Sequence, residues 1–427
     1  MRIKRYGFIR SGLLAVFLLT GFMSPLVYGA AKSDSDFRKY MRERCSDPDF
    51  VTPRDPSDPK QLDQAQRNFD LCGELFPGVT GAFVSDANIV IFSDVGGGTT
   101  GGNGVVNGVK GRTGQLSVGG GQSWGSVSGG AEDGGFGLLL TDLSGETERS
   151  ETELTSGYDS DLSGYLAGLD YSFSNVLVFG LAVGSVEEEA NLAEGGKLET
   201  DSGSKTIYGT WSVGGGFSVD LYLGNGDVDY ESLRTTVFGF DSNTTVPVEG
   251  IITASYEGTQ DLKGLSLNYD FSLGAWSFGA FVSLDSIKSE LDAYEEEGQR
   301  AADPSEPTGF ELSFPSQKTE SETTSLGLRA GYGATFGWGV LIPTIKYISV
   351  KENENDAREI EATLASDFDP QPLTLATDAP DRSYSTSGFS LIAAFNNGSQ
   401  IFLDYEQRSG HDFIDTSSAT LGALIAF

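Results

Sequence analysis

Histidine and cysteine are nearly missing from this 427-residue chain: His411 is the only histidine, and Cys45 and Cys72 are the only cysteines. So few soft ligands exclude the common zinc sites. Positive charge is scarce too, with 28 Lys and Arg against 61 Asp and Glu and a formal net charge of −33. A chain so acidic does not grip nucleic acid, which is held by Lys and Arg on its phosphates. Long hydrophobic runs are absent beyond the first thirty or so residues; none approaches the roughly 20 residues of a transmembrane helix. The glycine runs lack a following Gly-Lys-Ser/Thr, so they are not phosphate loops. No cofactor is expected.

What the chain does have begins at its N-terminus. Arg2, Lys4, Arg5 and Arg10 precede an apolar run, Gly12 to Val27, and the small residues Gly29, Ala30 and Ala31 follow. This is a charged region, an apolar core and a cleavage site, the pattern of a secretory signal peptide over residues 1–31. A membrane anchor is the alternative, which Pro25 and the shortness of the run disfavour. Cleavage after Gly29, Ala30 or Ala31 fits equally. Removal of four positive charges takes the net charge from −33 to −37.

Residues 32–78 read as a helical hairpin. Phe37, Tyr40, Met41 and Cys45 fit one helical face, and Leu62, Ala65, Phe69, Cys72 and Leu75 fit another. Pro53, Pro56 and Pro59 break the chain between them. In an oxidising compartment the two cysteines predict a Cys45–Cys72 disulfide; two unpaired core thiols are the alternative. Closing such a loop is worth about 3–4 kcal/mol. Residues 79–135 form a Gly-rich linker or short passenger. Asn88–Phe92 reads as one strand, and the tract from Gly96 to Gly135 is too rich in glycine for helix.

From residue 136 to 427 the period changes to two. Leu265, Leu267, Tyr269 and Phe271 alternate strictly with Ser266, Asn268, Asp270 and Ser272. Near the end, Leu421, Ala423, Ile425 and Phe427 share one face, while Leu424 and Ala426 blur the other. Alternate residues of a strand point to opposite sides, so these are strands with one apolar face. Twelve such strands are predicted, starting at Phe136–Glu148 and ending at about Phe413–Phe427. Ser174-Asn175, Gly214–Gly216, Gly274-Ala275, Gly337–Gly339 and Asn396–Ser399 make tight connections. Long ones intervene at the first, third, fifth, seventh and ninth positions. Short turns at one end, long loops at the other and an even strand count describe an outer-membrane barrel. The expected fold is therefore all-β, a 12-stranded antiparallel transmembrane β-barrel with a small disulfide-stapled helical N-terminal segment.

Inward positions include Asp170, Asp220, Asn268, Asp270, Asp285, Arg329, Lys346, Asp404 and Glu406. Acids outnumber bases there, so an open lumen lined by them favours cations. The alternative is that they pair inside a filled barrel. The loops at about Glu290–Glu320 and Glu352–Arg382 each carry nine acidic and two basic residues. Charge this dense is expected to stay solvated and mobile, with divalent cations at the outer surface as a second reading. Gly121-Gln122-Ser123-Trp124-Gly125 matches G-x-S-x-G but lacks the strand–helix setting of a nucleophile elbow. His411 beside Asp412 in the last outer loop offers a catalytic His–Asp contact only weakly, against an ordinary exposed loop histidine. An outer-membrane hydrolase is thus the third reading, and no enzyme is expected.

The stretch from about Gly135 to Phe427 resembles the translocator β-domain of type V autotransporters. The resemblance rests on GFGLLLTDLSGETERS, YDSDLSGYLAGLDYSFSNVLVFGLAVGS, GWGVLIPTIKYISV, and GSQIFLDYEQRSG with the aromatic terminus after it. It implies an outer-membrane barrel of a Gram-negative cell that anchors, and helps export, the segment before it. It also implies that Leu421, Ala423, Ile425 and Phe427 form the strand read by the barrel-assembly machinery. Implied partners are periplasmic chaperones, outer-membrane lipid and lipopolysaccharide. The family threads a helix through the pore where this chain has its Gly-rich tract. Its passengers run to several hundred residues, where this one has about a hundred. A cation-preferring channel plugged by the N-terminal segment is the alternative function.

Overall fold

The computed structural model describes residues 32–75, 83–86, 110, 134–173, 176–192, 195–240, 248–354, 356–379 and 381–427. The signal peptide, the Asn88–Phe92 strand, the G-x-S-x-G match and all of the Gly-rich tract except Lys110, Gly134 and Gly135 lie outside the described residues.

Twelve strands form the barrel: β1 Gly135–Arg149, β2 Tyr158–Phe173, β3 Leu177–Leu192, β4 Lys197–Gly214, β5 Phe217–Phe240 and β6 Val248–Leu273 make the first half. The second half is β7 Trp276–Leu291, β8 Gln317–Tyr332, β9 Gly339–Glu352, β10 Ser383–Phe395, β11 Gln400–Ser409 and β12 Ile414–Ala426. Each pairs antiparallel with its neighbour in sequence, and β12 pairs back onto β1 from Ile414↔Arg149 to Ala426↔Gly137. That last ladder removes the free edges, as a sheet in lipid requires. Phe136 and Phe427 then exchange both backbone hydrogen bonds at 3.0 Å, so the first and last residues of the barrel meet at one end. The tight turns lie at this end. Gly274 has a φ of 63° in the two-residue turn with Ala275, a conformation that β-hairpin turns demand and glycine supplies.

The outward face of the barrel is apolar near this end. On β3, Leu177, Phe179, Leu181 and Val183 are exposed, while Val178, Gly180 and Ala182 are turned in. Aromatic rings gather at the turn end: Phe136 stacks on Phe427, Trp276 meets Tyr332 edge-on, and Trp338 leans on Phe395. Such a girdle marks a membrane interface. Leu424 points inward and is fully buried with Leu139 and Phe402 in an inner apolar cluster, which is why it blurs the polar face of the sequence pattern.

Towards the other end the alternation inverts. On β5 the outward residues pass from Phe217, Leu221 and Leu223 to Asp227, Asp229 and Glu231. Its inward residues pass from Ser218 and Asp220 to the buried Val228 and Tyr230. β5 and β6 are 24 and 26 residues long, against the 9–11 that cross a membrane, so their hairpin stands well clear of it. The expected long third and fifth connections are therefore mostly strand: β3 and β4 continue to Leu192 and Lys197, and β5 and β6 pair out to Phe238↔Val248. Water, not lipid, bathes these outer faces, so polar residues point out and apolar ones line the inside.

The two acidic loops are folded, contrary to the expectation that they stay mobile. Short strands Tyr294–Glu295, Leu312–Phe314, Glu359–Leu364 and Leu373–Ala376 make a second, four-stranded antiparallel sheet. Ile360, Ala362 and Leu364 alternate with Glu361 and Thr363, so the charge lies on one face and an apolar layer on the other. Arg234 holds this sheet to β5 through Nε and a terminal nitrogen on Glu296, at 2.9 and 2.6 Å.

Candidate functional site

Two regions carry the chemistry: the lumen wall, and the cap over the end opposite the tight turns. The nine predicted lumen residues all point inward. They are bonded along the wall rather than standing free in a channel. Asp170 accepts from the Tyr208 hydroxyl at 3.0 Å, and Asp285 from Tyr222 at 2.7 Å. Asp270 receives a two-point contact from Arg329, at 2.9 and 2.5 Å. Lys346 reaches both Asp404 and Glu406, at 2.8 and 2.5 Å. Asn268 donates to Asp220 at 2.8 Å. The pairing expected in the alternative reading is present at Arg329, Lys346 and Asn268.

The first four of these contacts share one design. In register, Asp170 and Tyr208 flank Gly180, Tyr222 and Asp285 flank Gly264, Asp270 and Arg329 flank Gly279, and Lys346 and Glu406 flank Gly388. A Cβ at Gly180 or Gly264 would run into the tyrosine ring, and one at Gly279 or Gly388 into the Arg329 or Lys346 side chain. Each glycine thus lets two side chains from strands on either side lie flat across it and meet. Single residues on these strands were legible as inward. The bridging depends on register across three strands, which one sequence does not display.

Lys110 is the one described residue between 86 and 134, and its ammonium lies 2.6 Å from Asp285 on the lumen wall. Its backbone is helical, where composition predicted no helix. Ser283 also donates to Asp285, at 3.0 Å.

The cap is built on helices α1, Lys32–Ser46, and α2, Pro59–Leu75, joined by the Cys45–Cys72 disulfide with Cα atoms 5.5 Å apart. Asp58 begins α2 by accepting from the Lys60 amide at 3.0 Å, and Pro59 takes the first helical position, where its missing N–H costs nothing. On α1 the buried face is Phe37, Tyr40, Met41 and Arg44, close to the expected one. On α2 the expected face is corrected: Leu62 and Phe69 are exposed, and Ala65, Asn68 and Leu71 are buried. Asn68 is drawn in by donating to Phe50 O at 2.9 Å and Ser366 O at 3.0 Å. Helical periodicity finds a face from hydrophobicity and cannot foresee an amide with two acceptors.

The hairpin packs on the apolar face of the four-stranded sheet. Phe37 meets Phe310 edge-on at 5.8 Å. Arg44, 4% exposed, places two nitrogens on Asp367, at 2.7 and 2.8 Å. Burial by itself pulls this guanidinium down, and the Asp367 carboxylate more than offsets it, so its pKa ends raised. Tyr40 donates to Gln371 O at 2.9 Å, and burial pushes its phenol up to about 12. His411 is not a loop histidine in water. Its side chain is buried between Tyr384 and Phe413, and Nδ1 lies 3.4 Å from Asp381 rather than against Asp412. Asp381 comes from a loop thirty residues away, which sequence adjacency does not reveal. No group of three or more metal-ligating side chains occurs among the described residues.

The terminal strand presents Leu421, Ala423, Ile425 and Phe427 outward, with Phe427 70% exposed.

A closed twelve-stranded antiparallel barrel with an apolar outer band and an aromatic girdle defines a class, the outer-membrane barrels. Within that class, residues 142–406 match the Autotransporter beta-domain family. This is more than half of the chain, and the chain belongs to that family: it is an outer-membrane barrel of the autotransporter translocator type, from a Gram-negative bacterium, and its barrel is a transport fold rather than an enzyme. Among solved structures it is similar to the translocator domain of the autotransporter NalP from Neisseria meningitidis, with a TM-score of 0.52 at 12% identity, covering 76% of this chain and 97% of that one. The β-domain of the Bordetella autotransporter BrkA gives a TM-score of 0.48 at 16% identity, covering 69% of this chain and all of that one. The transport unit of AIDA-I from Escherichia coli gives 0.43 at 11%, covering 69% and 90%. A search of curated proteins finds no match.

Proposed function

We propose that this barrel carries its own short N-terminal segment to the cell surface and leaves it there, joined by a connection that crosses the membrane through the lumen. The observation that carries the reading is the Lys110–Asp285 contact. Residues 32–75 pack at the outer-loop end, Gly135 starts β1 at the tight-turn end, and Lys110 between them pairs with the inner wall. A connection outside the barrel would put unpaired backbone in lipid.

Export across the inner membrane follows from the signal peptide in this reading, with periplasmic chaperones holding the chain until the assembly machinery reads the strand ending at Phe427. The barrel floats in lipid and lipopolysaccharide, whose divalent cations suit the acidic outer surface. The N-terminal segment has no enzymatic role. A cation-preferring channel is less well supported, because the inward carboxylates are paired and the lumen carries a cluster of large apolar groups, Leu139, Leu166, Ile342 and Phe402 among them.

The test is a protease-cleavable tag after Ser33, assayed on intact cells. Cleavage from outside is the expected result. Protection, with the barrel shown to be in the outer membrane, overturns the reading. A Phe427→Ser variant should also lower outer-membrane levels of heat-modifiable protein; unchanged levels would remove the assembly role of that residue.

A further inference from the structure

The hairpin and the two acidic loops complete a single core between them. Phe37 and Met41 from α1 lie in one buried cluster with Leu312, Ile360 and Leu364 from the loop sheet. Lift the helices away and that apolar sheet face is left in water, an exposure that soluble surfaces avoid.

From this shared core we propose that the N-terminal hairpin is a captive lid. Its receptor is the sheet made by loops 292–316 and 353–382, its latch is Arg44 on Asp367, and once seated it is neither released nor withdrawn and closes the outer mouth of the barrel. How the hairpin arrives rests on the crossing proposed above; the docking and the latch do not.

Charge fits the assignment. Residues 32–75 hold eight of the 24 Lys and Arg that follow residue 31 and also ten Asp and Glu, so the match to the acidic loops is made by individual pairs rather than by overall charge. Two of those eight meet loop carboxylates directly: Arg44 pairs with Asp367, whose side chain is wholly buried, and Arg54 with Asp369 at 2.5 Å. The latch is the buried pair, since removing one partner of such a pair strands the other, whereas an exposed pair contributes little.

Closure follows from the ring column beneath the lid. Tyr230 and Tyr256 on the inner wall stack at 5.0 Å, Tyr256 and Tyr294 at 4.0 Å, and Tyr294 and Phe314 at 4.8 Å. Tyr294 packs against both the cap cluster and the apolar cluster inside the strand extensions, so the sheet is seated on the inner wall of the mouth. The disulfide makes the arrangement one-way. Two stapled helices are about 20 Å across, too wide to slip back between twelve strands.

The experiment uses the purified full-length protein folded in detergent, with Arg44→Glu, Asp367→Arg and the two combined. Heat-modifiable migration checks that the barrel is folded in each. Trypsin cleavage after Arg358, at the start of the Glu359–Leu364 strand, reports the seated lid. Each single reversal should speed cleavage by about a hundredfold, as expected for stranding a buried charge, and the combined variant should recover most of the protection. Closure is read at the mouth: a cysteine in place of Val228, on the inner wall of the strand extensions, should react slowly with a water-soluble maleimide in the otherwise wild-type protein and rapidly with Arg44→Glu added. Wild-type cleavage rates in both single variants overturn the docking. A combined variant as labile as the singles overturns the latch, and equal labelling of Val228→Cys with and without Arg44→Glu overturns the closure. These readouts in detergent do not depend on export, so they fail separately from the tag experiment on cells.

Discussion

The lower and upper halves of the same strands obey opposite rules. Below about Leu223 on β5, apolar residues face out and Ser218, Asp220 and Tyr222 face in; above it, Asp227, Asp229 and Glu231 face out and Val228 and Tyr230 face in. Nothing in the backbone marks the change, for the β5–β6 ladder runs unbroken from Phe217↔Tyr269 to Phe238↔Val248. The solvent changes, from hydrocarbon to water. One period of two therefore builds a membrane barrel and, continued upward, an ordinary water-soluble wall with its own core. The cap is the fullest expression of the second rule, and it should fail independently of the barrel.

The largest test of that independence is Leu364→Asp, which places an unpaired charge in the fully buried cap core. The cap should lose several kcal/mol and melt, seen as rapid hydrogen exchange over residues 312–314 and 359–364. The barrel strands should keep their protection and heat-modifiable migration. Loss of both together would make cap and barrel one cooperative unit. Next, Cys45→Ser with Cys72→Ser should weaken the cap by about 3–4 kcal/mol, again sparing the barrel, measured by the denaturant midpoint of cap proteolysis.

A pair of substitutions compares the two solvents directly. Leu421→Arg on the lipid face should cost about 2–4 kcal/mol in bilayer refolding. Glu231→Leu, facing water on the strand extension, should change stability by no more than about 0.5 kcal/mol. Similar costs at the two sites would erase the proposed boundary. The smallest effect is in alkali. Tyr40 ionises near 10 in an unfolded chain and is pushed up to about 12 in the cap, so its contribution is complete below pH 10 and is lost as pH rises through 12. Cap protection should fall across that window by on the order of 2 kcal/mol. Tyr40→Phe should flatten the fall, at about 1 kcal/mol of neutral-pH stability for the lost bond to Gln371. An equally steep fall in the phenylalanine variant would assign it to other groups.

The membrane half was largely legible in the sequence. Outward Leu265, Leu267, Tyr269 and Phe271, and the tight glycine turns, set the strand count and the turn-side ends within a residue or two, except on β8, which breaks after Tyr332 and resumes as the short strand Ala334–Phe336. The outer ends run beyond the expected ones because outward apolar residues, the signal for those ends, stop where lipid stops. The inner alternation Tyr230, Val228 on β5 and Tyr256, Ala254 on β6 carried the missing signal. In the acidic loops, the regular spacing of Ile360, Ala362 and Leu364 was there to find, but the density of charge around it argued for a mobile surface. The Cys45–Cys72 bridge was readable from compartment and helix phase. Its seat on the loops was not, since Arg44 and Asp367 are 323 positions apart.

The sideways bonding over Gly180, Gly264, Gly279 and Gly388 bears on how a polypeptide moves along this lumen. Each of those pairs ties charge or a hydroxyl to a neighbour on the same wall, so no bond need be broken for a strand of peptide to pass over it. Friction along such a surface is low for a segment made mostly of glycine and serine, which carries little to catch. Lys110 is different, because Asp285 has a second oxygen to offer beyond the one held by Tyr222. Among the described residues of that segment, Lys110 is the one bonded to the wall, and under the proposed crossing its pair with Asp285 sets where the segment comes to rest.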